Sequence, residues 1–255
     1  MATNLLSCNL ASYGKFRDVA YDHLPSIGIS HVEVPAPEPG QIDSFQAKLS
    51  QHGLAASSLI QRIEIESENA VDSFTPGLVA AEAMGAQIVF TSVKAGDLDR
   101  QLVYDRLHAI GDEAGKRGIT VGMETHPDLI TNAEVAIETM RGVNHPNVRV
   151  NYDTANIHYY NHNVDSVDQL GKVIDYVGSM HLKDTNGEFE TWFFPTFGQG
   201  VVDFKAVFDL LSAQDFHGPY AMEIEGCSGE DFNEEETCKR VADSVAHLRD
   251  IGCDV

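Results

Sequence analysis

The chain reads as an α/β protein built as a single (β/α)8 TIM barrel, and three observations predict it. A short β-branched or apolar run, then a polar loop, then an amphipathic helical stretch recurs about every 30 residues, and eight such runs can be counted. Neither a linker nor a low-complexity segment interrupts the 255 residues, so one unit spanning 1–255 is expected. The G-x-G-x-x-G of a dinucleotide-binding sheet is missing after the first run, where the sequence is LASYGKF (10–16). Alternating strands and helices imply a parallel sheet with right-handed crossovers, and eight repeats in this length suit a closed barrel better than an open doubly wound sheet.

The predicted strands are 4–9, 31–35, 55–60, 87–93, 120–124, 148–153, 177–182 and 220–224. Between them lie helical candidates such as 43–53, 103–118, 132–143 and 203–214, several opened by an Asp or Asn cap and several closed by Gly. The GQG at 198–200 and Asp203 are read as turn glycines and a helix cap.

Composition narrows the function. With 43% hydrophobic and 22% charged residues, a chain of this length buries a core without disulfides or metals, which excludes disorder as its main state. Lys+Arg 17 against Asp+Glu 39 gives a net charge of −22, a field that repels phosphate backbones and anionic lipid. Nucleic acid and membrane surfaces are therefore not expected as partners. The start, MATNLLSCNLASYGKF, has no basic segment leading into a long apolar one, and no apolar run approaches the ~20 residues of a spanning helix. Cys8, Cys227, Cys238 and Cys253 form no C-x-x-C and read as reduced, packed thiols. A cytoplasmic protein is expected.

In a barrel of this kind reactive groups gather where strands end and loops begin. The fifth to eighth runs end at Glu124, Asp153, His181 and Glu223, which are 29, 28 and 42 residues apart. A closed barrel brings these four to one mouth. Three carboxylates and an imidazole suit one divalent ion, Mn2+ ahead of Mg2+ or Co2+, and are less typical of structural zinc, which favours thiolate. Singly, each has a plain alternative as a helix cap or a packed histidine; their succession at equivalent positions carries the signal. Glu225, two residues beyond Glu223, shares its side of an extended strand and is the alternative ligand. Glu33 in the second run is read as a polar-ligand contact or a loop salt bridge. Trp192, with two Phe neighbours in TWFFP (191–195), stacks on a ring face of a bound ligand, forms a lid, buries in a subunit contact or packs as plain loop core, so a homo-oligomer stays open.

The runs VGMETHPD, NYDTANIHYYN, MHLKDTNG, FPTFGQGVVDF and YAMEIEG resemble the xylose isomerase-like TIM-barrel superfamily, in its sugar phosphate isomerase/epimerase branch. The resemblance covers all eight units and is most specific from Glu124 onward. It implies the fold, a divalent metal on Glu124, Asp153, His181 and Glu223, and chemistry on ketoses or keto-sugars. It also places His126 and Lys183 at positions that face the substrate in relatives. Asn156 stands where ketose 3-epimerases of the superfamily carry a histidine three residues after the Asp ligand, with His158 two further on, so the substrate differs or is held differently.

The function expected is a metal-dependent epimerase or isomerase of a keto-sugar or related polyol, with Glu124 and Glu223 as the catalytic pair. They remove and return a proton beside a carbonyl through an enediolate held by the ion. The contact set is His126, Asn156, Lys183, Trp192 and Glu33. The loops after the seventh and eighth runs, TNGEFETWFFPTFGQG and EGCSGEDFNEEE, lack basic residues, so an unphosphorylated substrate is expected. The same first proton transfer also begins β-elimination from a keto-cyclitol or cleavage of a keto-glycoside, and these lyase readings stay open. Phosphodiester hydrolysis is disfavoured by the charge and by VEVPAP, SSLIQRI and TSVKAG, which lack the extra histidines of a multi-metal cluster. A catalytically silent barrel serving as a binding or accessory subunit is the non-enzyme alternative.

Overall fold

Eight parallel strands close on themselves. The structure, a computed structural model, describes residues 4–253 and residue 255. The barrel strands are β1 (Leu6–Asn9), β2 (His31–Pro35), β3 (Ala55–Ile60), β4 (Ile88–Thr91), β5 (Thr120–Glu124), β6 (Val148–Asp153), β7 (Val177–Leu182) and β9 (Tyr220–Met222), which pairs with both β7 and β1. A two-residue strand, β8 (Phe193–Phe194), pairs antiparallel with β10 (Gly226–Cys227), tying the loop after β7 to the loop after β9. The helices are α1 (Ala20–Ser26), α2 (Ile42–Gln51), α3 (Ala70–Met84), α4 (Arg100–Gly115), α5 (Ala133–Val143), α6 (Asn156–Tyr159), α7 (Ser166–Val173), α8 (Phe204–Ser212) and α9 (Glu234–Asp250). None of the described helices is long and apolar enough to cross a membrane.

Five predicted strands, 31–35, 55–60, 120–124, 148–153 and 177–182, have the expected bounds. The eighth stops at Met222 because Ser12 Oγ takes the Ile224 N–H at 2.9 Å and draws the chain out of the ladder. Helix α4 starts three residues earlier than its hydrophobic pattern suggests, since Asp99 caps it by accepting from Leu102 N at 3.1 Å. Asn132, Asp165 and Asp203 cap α5, α7 and α8 in the same way, and Asn233 with Glu236 forms a capping box on α9.

Alternation along the strands sorts the side chains. Cys8, Val32, Val34, Leu59, Val89, Val121, Met123, Val150, Met180 and Leu182 are buried in the apolar layer between barrel and helices. Most of the intervening residues face the axis and are small or polar, Ile88 and Phe90 of β4 excepted: Ser179 Oγ donates to Asn151 Oδ1 at 2.7 Å, and at the next level up sit Asn9, Glu33, Asp153 and His181, all buried. The polar residues thus rise along the axis to the end where the βα loops begin.

The longest of those loops, between β7 and α8, is held by one buried carboxylate. Asp184 accepts from the backbone N–H of Thr185 (2.9 Å), Gly198 (2.9 Å), Gly200 (2.8 Å) and Val202 (3.2 Å). Gly198 takes a φ of 84°, and a side chain on Gly200 would run into the Thr185 carbonyl, so GQG serves this cradle. Asp184→Ala is predicted to destabilise the protein by about 3 kcal/mol, since several N–H groups lose a charged acceptor at once. Urea unfolding measures it, and a loss under half a kcal/mol would show that the loop is held by other means.

Candidate functional site

Glu124, Asp153 and His181 lie at or near the C-terminal ends of β5, β6 and β7, and Glu223 follows β9 directly, so closure of the barrel brings them together. One ligand atom from each lies within 4.8 Å of the others. The sequence-predicted set of four therefore converges.

Each member has one atom tied down and another left open. Asp153 Oδ1 accepts from the N–H groups of Ala155 and Asn156, both at 2.8 Å. His181 Nε2 is 2.8 Å from Glu33 Oε1, and because a carboxylate only accepts, Nε2 carries the proton. Glu223 Oε1 accepts from Asn9 Nδ2 at 3.3 Å, and Glu124 Oε1 from Asn156 Nδ2 at 3.1 Å. What remains is Asp153 Oδ2, His181 Nδ1 and Glu223 Oε2, three buried atoms outside those hydrogen bonds, the two carboxylate oxygens facing the Lys183 ammonium. His181 Nδ1 is 3.3 Å from Glu223 Oε2 and 3.9 Å from Asp153 Oδ2. An imidazole nitrogen converging with two carboxylate oxygens is the donor set of a cation, a place the Lys183 ammonium takes here. These residues fit a divalent ion.

Electrostatics favour one as well. Five carboxylates, Glu33, Glu124, Asp153, Glu223 and Glu225, surround Lys183 and one imidazole. Lys183 is buried, with Nζ 2.5 Å from Glu223 Oε2, 3.2 Å from Asp153 Oδ2 and 2.8 Å from Glu225 Oε2. Burial works against its charge, but Asp153, Glu223 and Glu225 outweigh it and hold the ammonium well above the ordinary lysine range. His181 behaves alike: burial lowers its pKa, while Glu33 and Glu223 raise it further, well above the usual imidazole value. Burial likewise pushes Glu223 up, yet Lys183 and His181 prevail and leave it below the usual carboxylate range. Asp153 goes the other way, raised chiefly by its burial, against the pull of Lys183.

The structure relocates some expected contacts. Glu33 lies beneath His181, with Oε1 also accepting from Asn9 Nδ2 at 3.0 Å and Oε2 from Ser58 Oγ at 2.7 Å; it supports the imidazole and is too deep to meet a ligand. Phe90 stacks on the other side of that ring, with centroids 4.5 Å apart. Glu225 pairs with Lys183, while Glu223 is the member of the converging set. His126 bridges Glu124 and Tyr160: Nδ1 is 3.3 Å from Glu124 Oε2 and Nε2 is 2.9 Å from Tyr160 Oη. Burial, with Glu124 adding to it, pushes the Tyr160 hydroxyl up to about 12, so it keeps its proton.

A pocket of about 130 Å3 opens onto this cluster, lined by Glu124, His126, Asn156, Lys183, Trp192 and Glu223 among others. Trp192 is 45% exposed and stands edge-on to Phe194 and Tyr159, at 5.0 and 6.3 Å. Asn156 donates to Glu124 and lines the pocket, and His158 is buried outside the pocket lining. Asn9 and Tyr160 were not singled out from the sequence. Asn9 was nevertheless visible by rule, since it ends the first run as the four ligands end theirs.

A second grouping, His108, Asp112 and His145, lies on the outer face by α4. There His145 Nδ1 accepts from Asn147 N at 3.0 Å, so its Nε2–H points to Asp112 at 3.3 Å and the cluster satisfies itself.

Comparison with known proteins agrees with this architecture. L-ribulose-5-phosphate 3-epimerase UlaE of Salmonella typhi is 29% identical over 160 residues, 62% of this chain and 51% of that protein. The chain thus spans about half the length of the curated relatives it matches. The structure of a xylose isomerase domain protein from Planctomyces limnophilus superposes with a TM-score of 0.76 at 20% identity, covering 98% of both chains. That of 3-keto-D-glucoside 4-epimerase, YcjR, from E. coli gives 0.74 at 17% identity, covering 97% of this chain and 99% of the other. Such identities speak for the fold alone. The family model described as xylose isomerase-like TIM barrel matches residues 21–251, from within α1 to just past α9, and by that extent the chain belongs to the xylose isomerase-like TIM barrel family.

Proposed function

We propose that the chain is a divalent-metal-dependent epimerase or isomerase of a small, unphosphorylated keto-sugar or related polyol. The observation that carries the reading is the convergence of Asp153 Oδ2, His181 Nδ1 and Glu223 Oε2, buried within reach of one another, beside a pocket that also holds Glu124. Glu124, Asp153, His181 and Glu223 would hold the ion, with Mn2+ the first choice and Mg2+ or Co2+ next, since three hard oxygen donors and one imidazole suit these ions. Bound there, the ion supplies positive charge to carbonyl and hydroxyl oxygens and so acidifies the C–H between them.

The proton work falls to this chain's own carboxylates. Strands β5 and β9 are separated around the barrel by β6 and β7, so Glu124 and Glu223 approach the pocket from different sides. One takes the proton from carbon, and the other returns one to the opposite face, which inverts the centre. Lys183 and Asn156 orient substrate oxygens, and the Trp192 ring walls the pocket against water. The L-ribulose-5-phosphate 3-epimerase among the relatives supports the epimerase part of this reading, its own named substrate being phosphorylated. An unphosphorylated substrate fits because Lys183, the sole cationic side chain in the pocket lining, is already matched by Asp153, Glu223 and Glu225.

Three outcomes test the reading. With a keto-sugar substrate in D2O, deuterium should enter the carbon beside the carbonyl, and Glu124→Gln or Glu223→Gln should lower kcat by about 10²–10⁴ at matched metal content. Turnover without deuterium uptake, with solvent shielding excluded, would point to hydride transfer; loss of water or an aglycone, to elimination. Metal binding should release protons and weaken as pH falls. The sign follows from His181, whose raised pKa keeps the imidazole protonated over a wider range, so the ion competes with that proton until pH passes the raised value. Calorimetry in two buffers of different ionisation enthalpy reads the proton count, and a pH-independent affinity contradicts the ligand assignment. Finally, Glu33→Gln should raise the metal dissociation constant about 10–100-fold, as removal of a carboxylate behind a ligating histidine does. A chelator competition assay measures it, and unchanged affinity would leave Glu33 a packing residue.

A further inference from the structure

Of the three carboxylates that hold the Lys183 ammonium, two belong to the ion site. Asp153 Oδ2 at 3.2 Å and Glu223 Oε2 at 2.5 Å come from the converging set of four, whereas Glu225 Oε2 at 2.8 Å comes from outside it. Besides these, Asn156 Oδ1 stands off at 3.4 Å and the Phe194 ring centroid lies 5.0 Å away. The Lys183 side chain is 2% exposed, so water offers it little, while Glu225 is 33% exposed and keeps its charge with help from solvent. The backbone fixes Glu225 from both sides. Ser12 Oγ takes the Ile224 N–H at 2.9 Å, and Gly226, with a φ of 82°, opens β10, where it pairs with Phe194 of β8. A side chain on Gly226 would meet Arg240 Nη1 at 2.8 Å and Glu230 Oε2 at 2.9 Å, so this stretch is closely packed. The pairing of β8 with β10 thus brings Phe194 and Glu225 to the same ammonium.

We infer that Glu225 is a positioning residue for Lys183: it keeps the ammonium in place when a divalent ion takes Asp153 and Glu223, and so lets ion and lysine occupy the site together. The inference rests on the ion site proposed above. Two cations that share Asp153 Oδ2 and Glu223 Oε2 repel each other in a buried space, and that repulsion weakens metal binding unless the ammonium has an anion of its own. Glu225 is the anion at hand. With its charge removed, Lys183 is left with the two ligand carboxylates and holds them against the metal. Glu225 therefore strengthens metal binding without touching the metal, and it acts through Lys183. A carboxylate that ligated the ion, or merely attracted it through space, would act whether or not the lysine were there.

The test is a double-mutant cycle read by Mn2+ alone, titrated into the whole chain against a competing chelator with no sugar present. Glu225→Gln should raise the Mn2+ dissociation constant about tenfold, and Glu225→Asp, which keeps the charge on a shorter arm, should recover part of the loss. In a Lys183→Met background the same Glu225→Gln change should shift the constant by less than about twofold. Lys183→Gln serves as a parallel background, because an apolar chain among these carboxylates can unfold the protein, and thermal melts confirm which variants fold. A spectrum needs no lysine variant: at saturating Co2+ the visible bands of Glu225→Gln should match those of the unaltered protein, since the ligands are the same. Changed bands make Glu225 a ligand and overturn the inference. So does an equal loss of Mn2+ affinity with and without Lys183, which is attraction through space. The ion site is judged separately. No Mn2+ binding by the unaltered chain sinks that site and this inference with it, whereas Mn2+ binding indifferent to Glu225→Gln sinks the inference alone.

Discussion

Closure of eight short strands leaves only two directions for their side chains, and that constraint organises everything else. Outward residues must satisfy the helices, so they are apolar; axial residues share a narrow interior that has no water to spare and are matched to one another. Polar groups in such a place are costly unless paired. The chain meets the requirement in part low in the barrel, where Asn151 accepts from Ser179 while its Nδ2 is left unpaired, and with charged contacts at the mouth. Function sits at that end because it is where buried charge can be both supported from below and reached from above.

The support from below is the Glu33 to His181 contact. Without it the imidazole could present either nitrogen; with it, Nε2 carries the proton and Nδ1 faces Asp153 and Glu223. Asn9 extends the same logic by holding Glu33 and Glu223 with one amide, so a ligand and the support of another ligand are positioned together. Lys183 then supplies counter-charge to the same carboxylates a cation would use. In the function proposed above, ammonium and divalent ion would compete for Glu223 Oε2. On this reading the lysine turns from neutralising the ligands to meeting the substrate's oxygens as the site fills.

How much of this was legible in the sequence follows from the same geometry. Period-two runs at even spacing identify a strand wherever its pattern is strong, which is why 31–35 and 148–153 emerge with their bounds intact. The end of β9 did not, because a side-chain hydroxyl from another loop, Ser12, settles where the ladder stops, and no local pattern encodes that. Glu124, Asp153, His181 and Glu223 were legible because each lies at or one residue short of the end of its run; Glu33 was noticed, but its role was not, since a residue two positions short of its strand's end reaches a histidine 148 residues away. The Asp184 cradle was half visible: GQG announced a turn, while the carboxylate that gathers its N–H groups is identifiable only once the chain has folded back on itself.

The two halves of the mouth are built in different ways, and the difference bears on which part of a substrate each can hold. On the β5 to β9 side, β8 and β10 pair above the cluster and the Asp184 cradle fixes the connecting loop, so Trp192 and Phe194 stand on a braced surface beside Lys183. A braced wall near buried charge favours exact placement of a reacting carbon, because a small displacement costs rate. On the β1 to β3 side the wall is made of short helices and proline-bearing turns over an apolar floor, with no buried carboxylate gathering the loops. Such a surface discriminates weakly among apolar groups of similar size, since a methylene in an apolar pocket shifts specificity only modestly. On the reading proposed above, the braced side would place the reacting carbon and the other side would tolerate more variation.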